Sequence, residues 1–95
     1  MSDVKFSHYD AADYLKTEEQ IAAYLDAALE DGDPAVITRA LGAIARARNM
    51  SQLARDTGIS REGLYKALSG EGNPSFATVM KVAQALGVRL HATHA

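Results

Sequence analysis

Residues that begin and end helices recur along this 95-residue chain at intervals suited to short helices. Side chains that cap helix N-termini alternate with glycines and prolines that stop helices. Between them, apolar residues recur at intervals of three and four, the spacing of one helix face. The pattern predicts an all-α bundle of five to six helices. The predicted N-caps are Asp10, Thr17, Asp33, Asn49, Ser60 and Ser75.

Capping boxes and glycines set the boundaries of the predicted helices. Thr17-Glu18-Glu19-Gln20 has the form of a capping box, in which the end residues satisfy backbone amides reciprocally. Gly32 ends the helix that this box opens, and Asp33-Pro34 begins the next, with proline in the first turn. Asn49, with Gln52 three residues later, has a box-like pattern as well. The other predicted helices cover 11–16, 49–57, 61–68 and 76–86.

The C-terminal part of the chain combines a helical pattern with an alternating one. Gly87 is suited to the left-handed residue that ends the helix 76–86. Beyond it, apolar and polar residues alternate over 88–93, which predicts either a short strand that pairs across a dimer or a frayed tail. The residues of the helix 76–86 predicted to be buried are Phe76, Val79, Met80, Ala83 and Leu86.

Composition limits the compartment in which the chain is expected to work. The absence of cysteine excludes disulfides and thiolate metal sites and indicates a reducing compartment. No apolar stretch is long enough to span a bilayer, and the sequence Met1-Ser2-Asp3-Val4 lacks the basic start and apolar run of a signal peptide. We therefore expect a cytoplasmic protein without membrane association.

Charge is divided unequally along the chain. Residues 1–32 carry two basic and eight acidic groups, a sum of −6, whereas residues 33–95 carry eight basic and four acidic groups, a sum of +4. The division predicts an acidic N-terminal helical extension, 1–32, followed by one compact unit, 33–95. Two faces for two partners would explain this asymmetry, and so would ordinary surface variation.

The segment 53–68 carries the most informative pattern. Two short helices meet there at a tight turn, with a small residue at their crossing and a glycine that permits positive φ. Ser60 caps the second helix, whose first residues then point outward, as a recognition helix does in the DNA major groove. An ordinary helical hairpin is the alternative. The structural residues of the predicted helix-turn-helix are Ala54, Gly58, Ile59 and Leu64.

Polar residues of the second helix have the chemistry of base and phosphate contacts. Arg61 and Lys66 can donate to guanine or to phosphates, and Glu62 can accept from cytosine or orient Arg61. Tyr65 can reach a phosphate or a thymine methyl group. Gly63 either allows close approach to DNA or is merely tolerated in the helix. The candidate DNA-binding residues are Ser60, Arg61, Glu62, Tyr65, Lys66, Ser69, Asn73 and Gln52.

These residues carry a resemblance to known families. Segments 53–68 and 73–88 resemble the XRE/Cro-repressor helix-turn-helix family. Where many members have glutamine at the start of the helix before the turn, this chain has Met50, with Gln52 nearby. A longer set of segments resembles the addiction-module antidote proteins related to HigA. These segments are 14–19, 23–25, 32–34, 45–54 and 60–74.

The resemblance implies a fold, a function and two partners. The fold is a lambda-repressor-like bundle that binds a palindromic operator in double-stranded DNA as a homodimer, with Arg61, Glu62, Tyr65 and Lys66 facing the DNA. The function is that of an antitoxin that represses its own operon and neutralises a RelE/HigB-like toxin, an mRNA-cleaving ribonuclease. A stand-alone phage-type repressor and a protein-interaction module that does not bind DNA are the alternatives.

The acidic extension is suited to such a toxin. A ribonuclease binds polyanionic RNA, so its surface is expected to be basic, and the acidic residues of 1–32 can attract and cover it. Ile21, Tyr24, Leu25 and Leu29 share one helix face and form either part of the core or an apolar anchor for the partner.

Catalytic and metal-binding patterns are lacking in the sequence. The histidines, His8, His91 and His94, lie near the termini, and no serine stands in a Gly-x-Ser-x-Gly context. The segment 31–33 lacks the length and the terminal glutamate of a calcium loop. We expect a protein that is not an enzyme and that needs no cofactor or metal.

Overall fold

Every regular element in the described part of the chain is helical. The computed structural model describes residues 10–92, in which one 3₁₀ helix and five α-helices form and no strand does. The prediction of an all-α bundle with five to six helices is confirmed. The elements are the 3₁₀ helix Ala11–Tyr14 and the helices α1 Glu18–Asp31, α2 Pro34–Arg48, α3 Met50–Thr57, α4 Arg61–Ala67 and α5 Phe76–Leu86.

Each of the six predicted N-caps accepts a hydrogen bond from the first turn of its helix. At α1 the capping box is complete, because the Thr17 hydroxyl accepts from the Gln20 amide at 3.1 Å and the Gln20 side chain accepts from the Thr17 amide at 3.0 Å. The box-like pattern at Asn49 is wrong in its second half. The Gln52 side chain bonds to two side chains further along α3 and does not return to the Asn49 amide.

The first helix is shorter than the predicted range of 11–16. It is a single 3₁₀ turn, in which the Leu15 amide donates to the Ala12 carbonyl at 3.3 Å. Thr17 adopts an extended conformation in order to cap α1, so a helix cannot continue through it. The 3₁₀ helix therefore ends at Tyr14, and the next residue, Leu15, is buried in the core.

The helix α2 runs through the centre of the bundle. Every residue from Ala40 to Ala45 is buried, so this part of the helix is covered on all sides. It packs against the 3₁₀ helix, α1, α3 and α5, while α4 packs against α3. The four largest side chains with almost no exposure are Leu41, Ile44, Leu64 and Val82, which come from α2, α4 and α5. The short helices α3 and α4 are thus held by one shared core.

The buried face of α5 differs from the predicted one. Val82, Ala83 and Leu86 are buried, whereas Phe76 is 74% exposed and Val79 and Met80 are only half-buried. The prediction for Phe76 is therefore wrong. Its cause is tertiary: the buried residues lie in the second half of α5, and the first turn stands beside an open groove that Phe76 helps to line.

The predicted C-terminal strand does not form within a single chain. Gly87 has a φ of +76°, as expected, and the next amide, that of Val88, donates to the Ala83 carbonyl at 3.1 Å. Residues 88–92 then continue without regular secondary structure, and Val88 and Leu90 pack against the core. A lone strand has no pairing partner in a helical bundle. Pairing across a dimer stays a prediction, and Thr93 lies outside the described residues.

The described part of the acidic N-terminal segment shares the core of the rest of the chain. Leu15, Ile21 and Leu25 are buried in the same cluster as Leu41 and Leu64, while Tyr24 and Leu29 are half-buried against it. These side chains are therefore mainly core residues, and α1 is anchored to α2. The predicted division at residue 32 stays a prediction, and residues 1–9 lie outside the described range.

An ion pair also links this segment to α2. The Arg46 guanidinium donates to both oxygens of Asp10 at 2.9 Å. These hydrogen bonds and a further one from the Ala12 amide hold the pKa of Asp10 below its ordinary value. Both side chains are more than a third exposed, so solvent screens the attraction and its contribution to stability is small.

Candidate nucleic-acid interface

A glycine turn sets the direction in which α4 leaves α3. Gly58 has a φ of +77°, the left-handed conformation that glycine adopts most easily, and its amide donates to the Ala54 carbonyl at 2.9 Å. Ala54 and Ile59, on either side of the turn, are half-buried and pack against the core. Ser60 then caps α4 by accepting from the Gly63 amide at 3.0 Å.

Thr57 is also part of this turn, a role that was not predicted from the sequence. Its hydroxyl is buried, donates to the Leu53 carbonyl at 2.8 Å and accepts from the Ile59 amide at 3.2 Å. One side chain thereby joins the last turn of α3 to the backbone that follows Gly58. The available signal was a threonine directly before a helix-ending glycine, because threonine bonds readily to nearby backbone groups.

The inner side of α4 attaches the helix to the core. Leu64 is 0% exposed and is the buried residue of this seven-residue helix. A Cβ atom at Gly63 would lie 3.1 Å from the Ile59 side chain and 3.1 Å from the Ser60 hydroxyl. Gly63 is half-buried and faces the turn, so its small size serves packing within the protein.

The outer side of α4 presents four polar or aromatic side chains to solvent. Arg61, Glu62, Tyr65 and Lys66 are all exposed and lie along one side of the helix. The Arg61 guanidinium lies 5.8 Å from the centre of the Tyr65 ring, and its Nη2 is 3.4 Å from the Tyr65 hydroxyl. Tyr65 thus orients Arg61 in the free protein, whereas no ion pair joins Arg61 to Glu62 in residues 10–92.

The other candidates differ in how free their polar groups are. The Ser69 hydroxyl donates to the Lys66 carbonyl at 3.0 Å and accepts from the Glu71 amide at 3.1 Å, so it is engaged in closing α4. Asn73 is exposed and makes no side-chain hydrogen bond to any described residue. The Gln52 amide donates to Asp56 and accepts from Arg55, each at 2.8 Å, which holds it along the surface of α3.

Some cations of α2 and α4 form ion pairs with acidic side chains, and others do not. Arg46 is paired with Asp10, and Arg48 lies 3.8 Å from Glu18. Arg61 and Lys66 have no acidic partner within the described range. The exposed side of α4 therefore carries two cations without an ion-pair partner in residues 10–92, beside one acid, Glu62, which suits it to an anionic ligand.

Residues 10–92 lack the features of two other classes of site. No group of three or more histidine, cysteine, aspartate or glutamate side chains there is placed to hold a metal ion. None of the described helices has the length and apolar character needed to cross a membrane. His91 is exposed near the C-terminal end of the described range, and His8 and His94 lie outside it.

The fold and this surface define a small helical bundle that presents one polar, partly cationic helix after a glycine turn. The chain belongs to the addiction-module antidote family: residues 5–94 match the family described as "Probable addiction module antidote protein". The resemblance to antidote proteins is thereby confirmed, and membership in this family implies a toxin partner. The XRE-type and HigA-type assignments stay predictions.

A curated relative agrees in extent with the family match. An uncharacterized protein of Haemophilus influenzae is 62% identical over 81 residues, which cover 85% of this chain and 84% of the relative. No solved structure matches the chain. The relative therefore supports the extent of the domain, while the chemistry of the site depends on the geometry described above.

Proposed function

We propose that this antitoxin is also a DNA-binding repressor of its own operon, with α3 and α4 acting as an XRE-type helix-turn-helix. The observation that carries the proposal is the exposed side of α4, where Arg61 and Lys66 lack acidic partners while Leu64 anchors the opposite side. A short helix with a buried inner side and a cationic outer side suits insertion into the major groove. The chain acts by binding and performs no catalysis.

Each exposed side chain of α4 has a role in this proposal. Arg61, already oriented by Tyr65, donates to guanine O6 and N7, and Lys66 donates to a second base or to a phosphate. Glu62 accepts from cytosine N4, and Tyr65 contacts a phosphate or a thymine methyl group. Ser60, at the N-terminal end of α4, and Asn73, in the loop before α5, contact the DNA backbone.

The test is a titration of labelled DNA from the region upstream of the chain's own gene. We expect this DNA to bind about 10³-fold more tightly than a scrambled duplex of the same length. The logarithm of the association constant should fall linearly with the logarithm of salt concentration, because phosphate contacts release counterions. Equal affinity for the two duplexes across all salt concentrations would contradict the repressor function.

We further propose that a homodimer occupies a palindrome whose half-sites lie about 34 Å apart. Backbone groups of residues 89–92 make no hydrogen bond within the described range, which supports pairing of this segment with a second copy. The stoichiometry of the same titration checks the dimer. One chain per operator would contradict it.

The toxin of this antidote is proposed to be a RelE/HigB-like ribonuclease, neutralised by direct binding. The resemblance to HigA-related proteins supports the class of toxin, and family membership favours an antitoxin over a stand-alone repressor. The charge of the N-terminal segment supports α1 as the surface that binds the toxin, because residues 10–32 contain seven acidic groups and one lysine. The exposed acids of α1, among them Asp26 and Glu30, are suited to attract a basic ribonuclease.

A charge reversal on α1 tests this surface without disturbing the core. We expect Asp26→Lys combined with Glu30→Lys to slow association with the product of the neighbouring gene about tenfold or more at low salt. A matched control, Asp56→Lys with Glu71→Lys, makes the same charge change away from α1. Association rates measured by surface plasmon resonance should separate the two. An equal loss in both pairs would show that the toxin responds to net charge alone.

A further inference from the structure

The central helix α2 passes very close to the C-terminal end of α4. A Cβ atom at Gly42 would lie 2.8 Å from the Leu68 carbonyl oxygen and 3.3 Å from the Leu68 Cβ. Only glycine allows this approach without a shift of the backbone. The side chain one turn earlier on α2, Arg39, is consequently carried to the loop that follows α4.

That loop holds the stem of Arg39 in place. Gly70 has a φ of +90°, and a Cβ atom there would lie 2.5 Å from Arg39 Cγ, 2.9 Å from its Cδ and 2.8 Å from its Nη1. The loop backbone therefore lies directly over the arginine side chain, and a larger residue at position 70 would displace it. Arg39 itself remains exposed to solvent.

The guanidinium held in this way has no protein partner in the described range. The Arg39 side chain makes no ion pair and no hydrogen bond to any of residues 10–92. The backbone amides of Gly70 and Gly72 are also without a hydrogen bond there. Lys66, in the last turn of α4, adds a second unpaired cation beside the same loop. A guanidinium packed against Gly70, in a loop that has free backbone amides within the described range, is suited to a phosphate group.

We propose that Arg39 and the loop 69–72 form a phosphate-binding site for the DNA backbone, beside the bases that α4 reads. The inference rests on the proposed DNA-binding function and adds to it a contact from α2, which lies outside the helix-turn-helix. The ligand is a backbone phosphodiester of the operator duplex. Because every duplex offers this group, Arg39 contributes to affinity and to the position of α4 in the groove, and it does not select a sequence.

The salt dependence of DNA binding tests this site. We expect Arg39→Gln to make the negative slope of log K against log salt about 0.9 less steep, the change for one lost phosphate contact. Operator and scrambled DNA should lose affinity by the same factor, which leaves the ratio of the two affinities unchanged. Arg39→Lys, which keeps the charge, should retain the slope of the unsubstituted chain.

Lys81→Gln is the matched control, because it removes the same charge from an exposed side chain of α5, outside the proposed DNA-binding surface and outside the proposed dimer segment 89–92. Its slope should equal that of the unsubstituted chain. An unchanged slope in Arg39→Gln, or an equal change of slope in Lys81→Gln, would overturn the inference while leaving the repressor function intact. If the unsubstituted chain fails to distinguish its operator, the proposed function itself fails. Arg39→Ala replaces Arg39→Gln if the glutamine variant does not fold.

Discussion

Replacing Leu64 with alanine is expected to lower the free energy of unfolding by about 2–5 kcal/mol. Leu64 is 0% exposed, and the substitution removes most of a side chain around which α2, α4 and α5 share one core. The helix α4 has only seven residues, too few to be stable in water by itself. Its attachment therefore depends on Leu64 and on the buried Leu68 directly after it.

Urea unfolding followed by far-ultraviolet circular dichroism checks this expectation. Glu62→Ala is the matched control, since Glu62 lies on the exposed side of the same helix and its loss should change stability by no more than about 0.5 kcal/mol. A small domain has roughly 5–15 kcal/mol of stability in total, so Leu64→Ala removes a large part of it. A loss of less than about 1 kcal/mol would mean that other contacts hold α4.

The starts of the helices were predictable because local chemistry decides them. Asp33, Ser60 and Ser75 act as N-caps through hydrogen bonds that span two or three residues, so nearby sequence contains the whole interaction. Where local chemistry offers several partners, the prediction failed. The Gln52 side chain has Asn49 on one side and Arg55 and Asp56 on the other, and it bonds to the latter two.

Burial was less predictable, because it depends on which helices pack together. The spacing of Phe76, Val79 and Ala83 is that of one helix face, yet Phe76 lies beyond the packed half of α5. Neither periodicity nor propensity indicates how far a helix extends past its neighbours. Residues 88–92 form no strand within one chain for a related reason, since a strand needs a pairing partner; pairing across a dimer stays a prediction.

The exposure of the polar side chains of α4 was predictable, and their contacts were less so. The spacing of Arg61, Tyr65 and Lys66 predicts that α4 has one polar side. The same spacing does not predict that Arg61 pairs with Tyr65 rather than with Glu62. The approach of Gly42 to Leu68 joins residues distant in sequence. An isolated glycine within a helix was the available signal, and it often indicates close packing.

Arg61→Ala and Lys66→Ala are each expected to weaken operator binding by about 1–3 kcal/mol, which corresponds to roughly fivefold to 150-fold. Both side chains are exposed cations without acidic partners in the described range, so little protein structure is lost with either. The pattern of loss distinguishes their roles. Loss of a base contact, expected for Arg61, weakens operator binding more than binding to scrambled DNA. Loss of a phosphate contact weakens both equally and makes the dependence of log K on log salt less steep.

Fluorescence anisotropy with operator and scrambled duplexes, at several salt concentrations, measures both effects. Lys81→Ala, which removes an exposed cation from α5, is the matched control and should leave operator affinity nearly unchanged. Because α4 is anchored through Leu64 on its inner side, both variants should keep the unfolding midpoint of the unsubstituted chain. Losses below about 0.5 kcal/mol in both variants would remove Arg61 and Lys66 from the recognition surface, since even a weak base contact contributes about 1 kcal/mol.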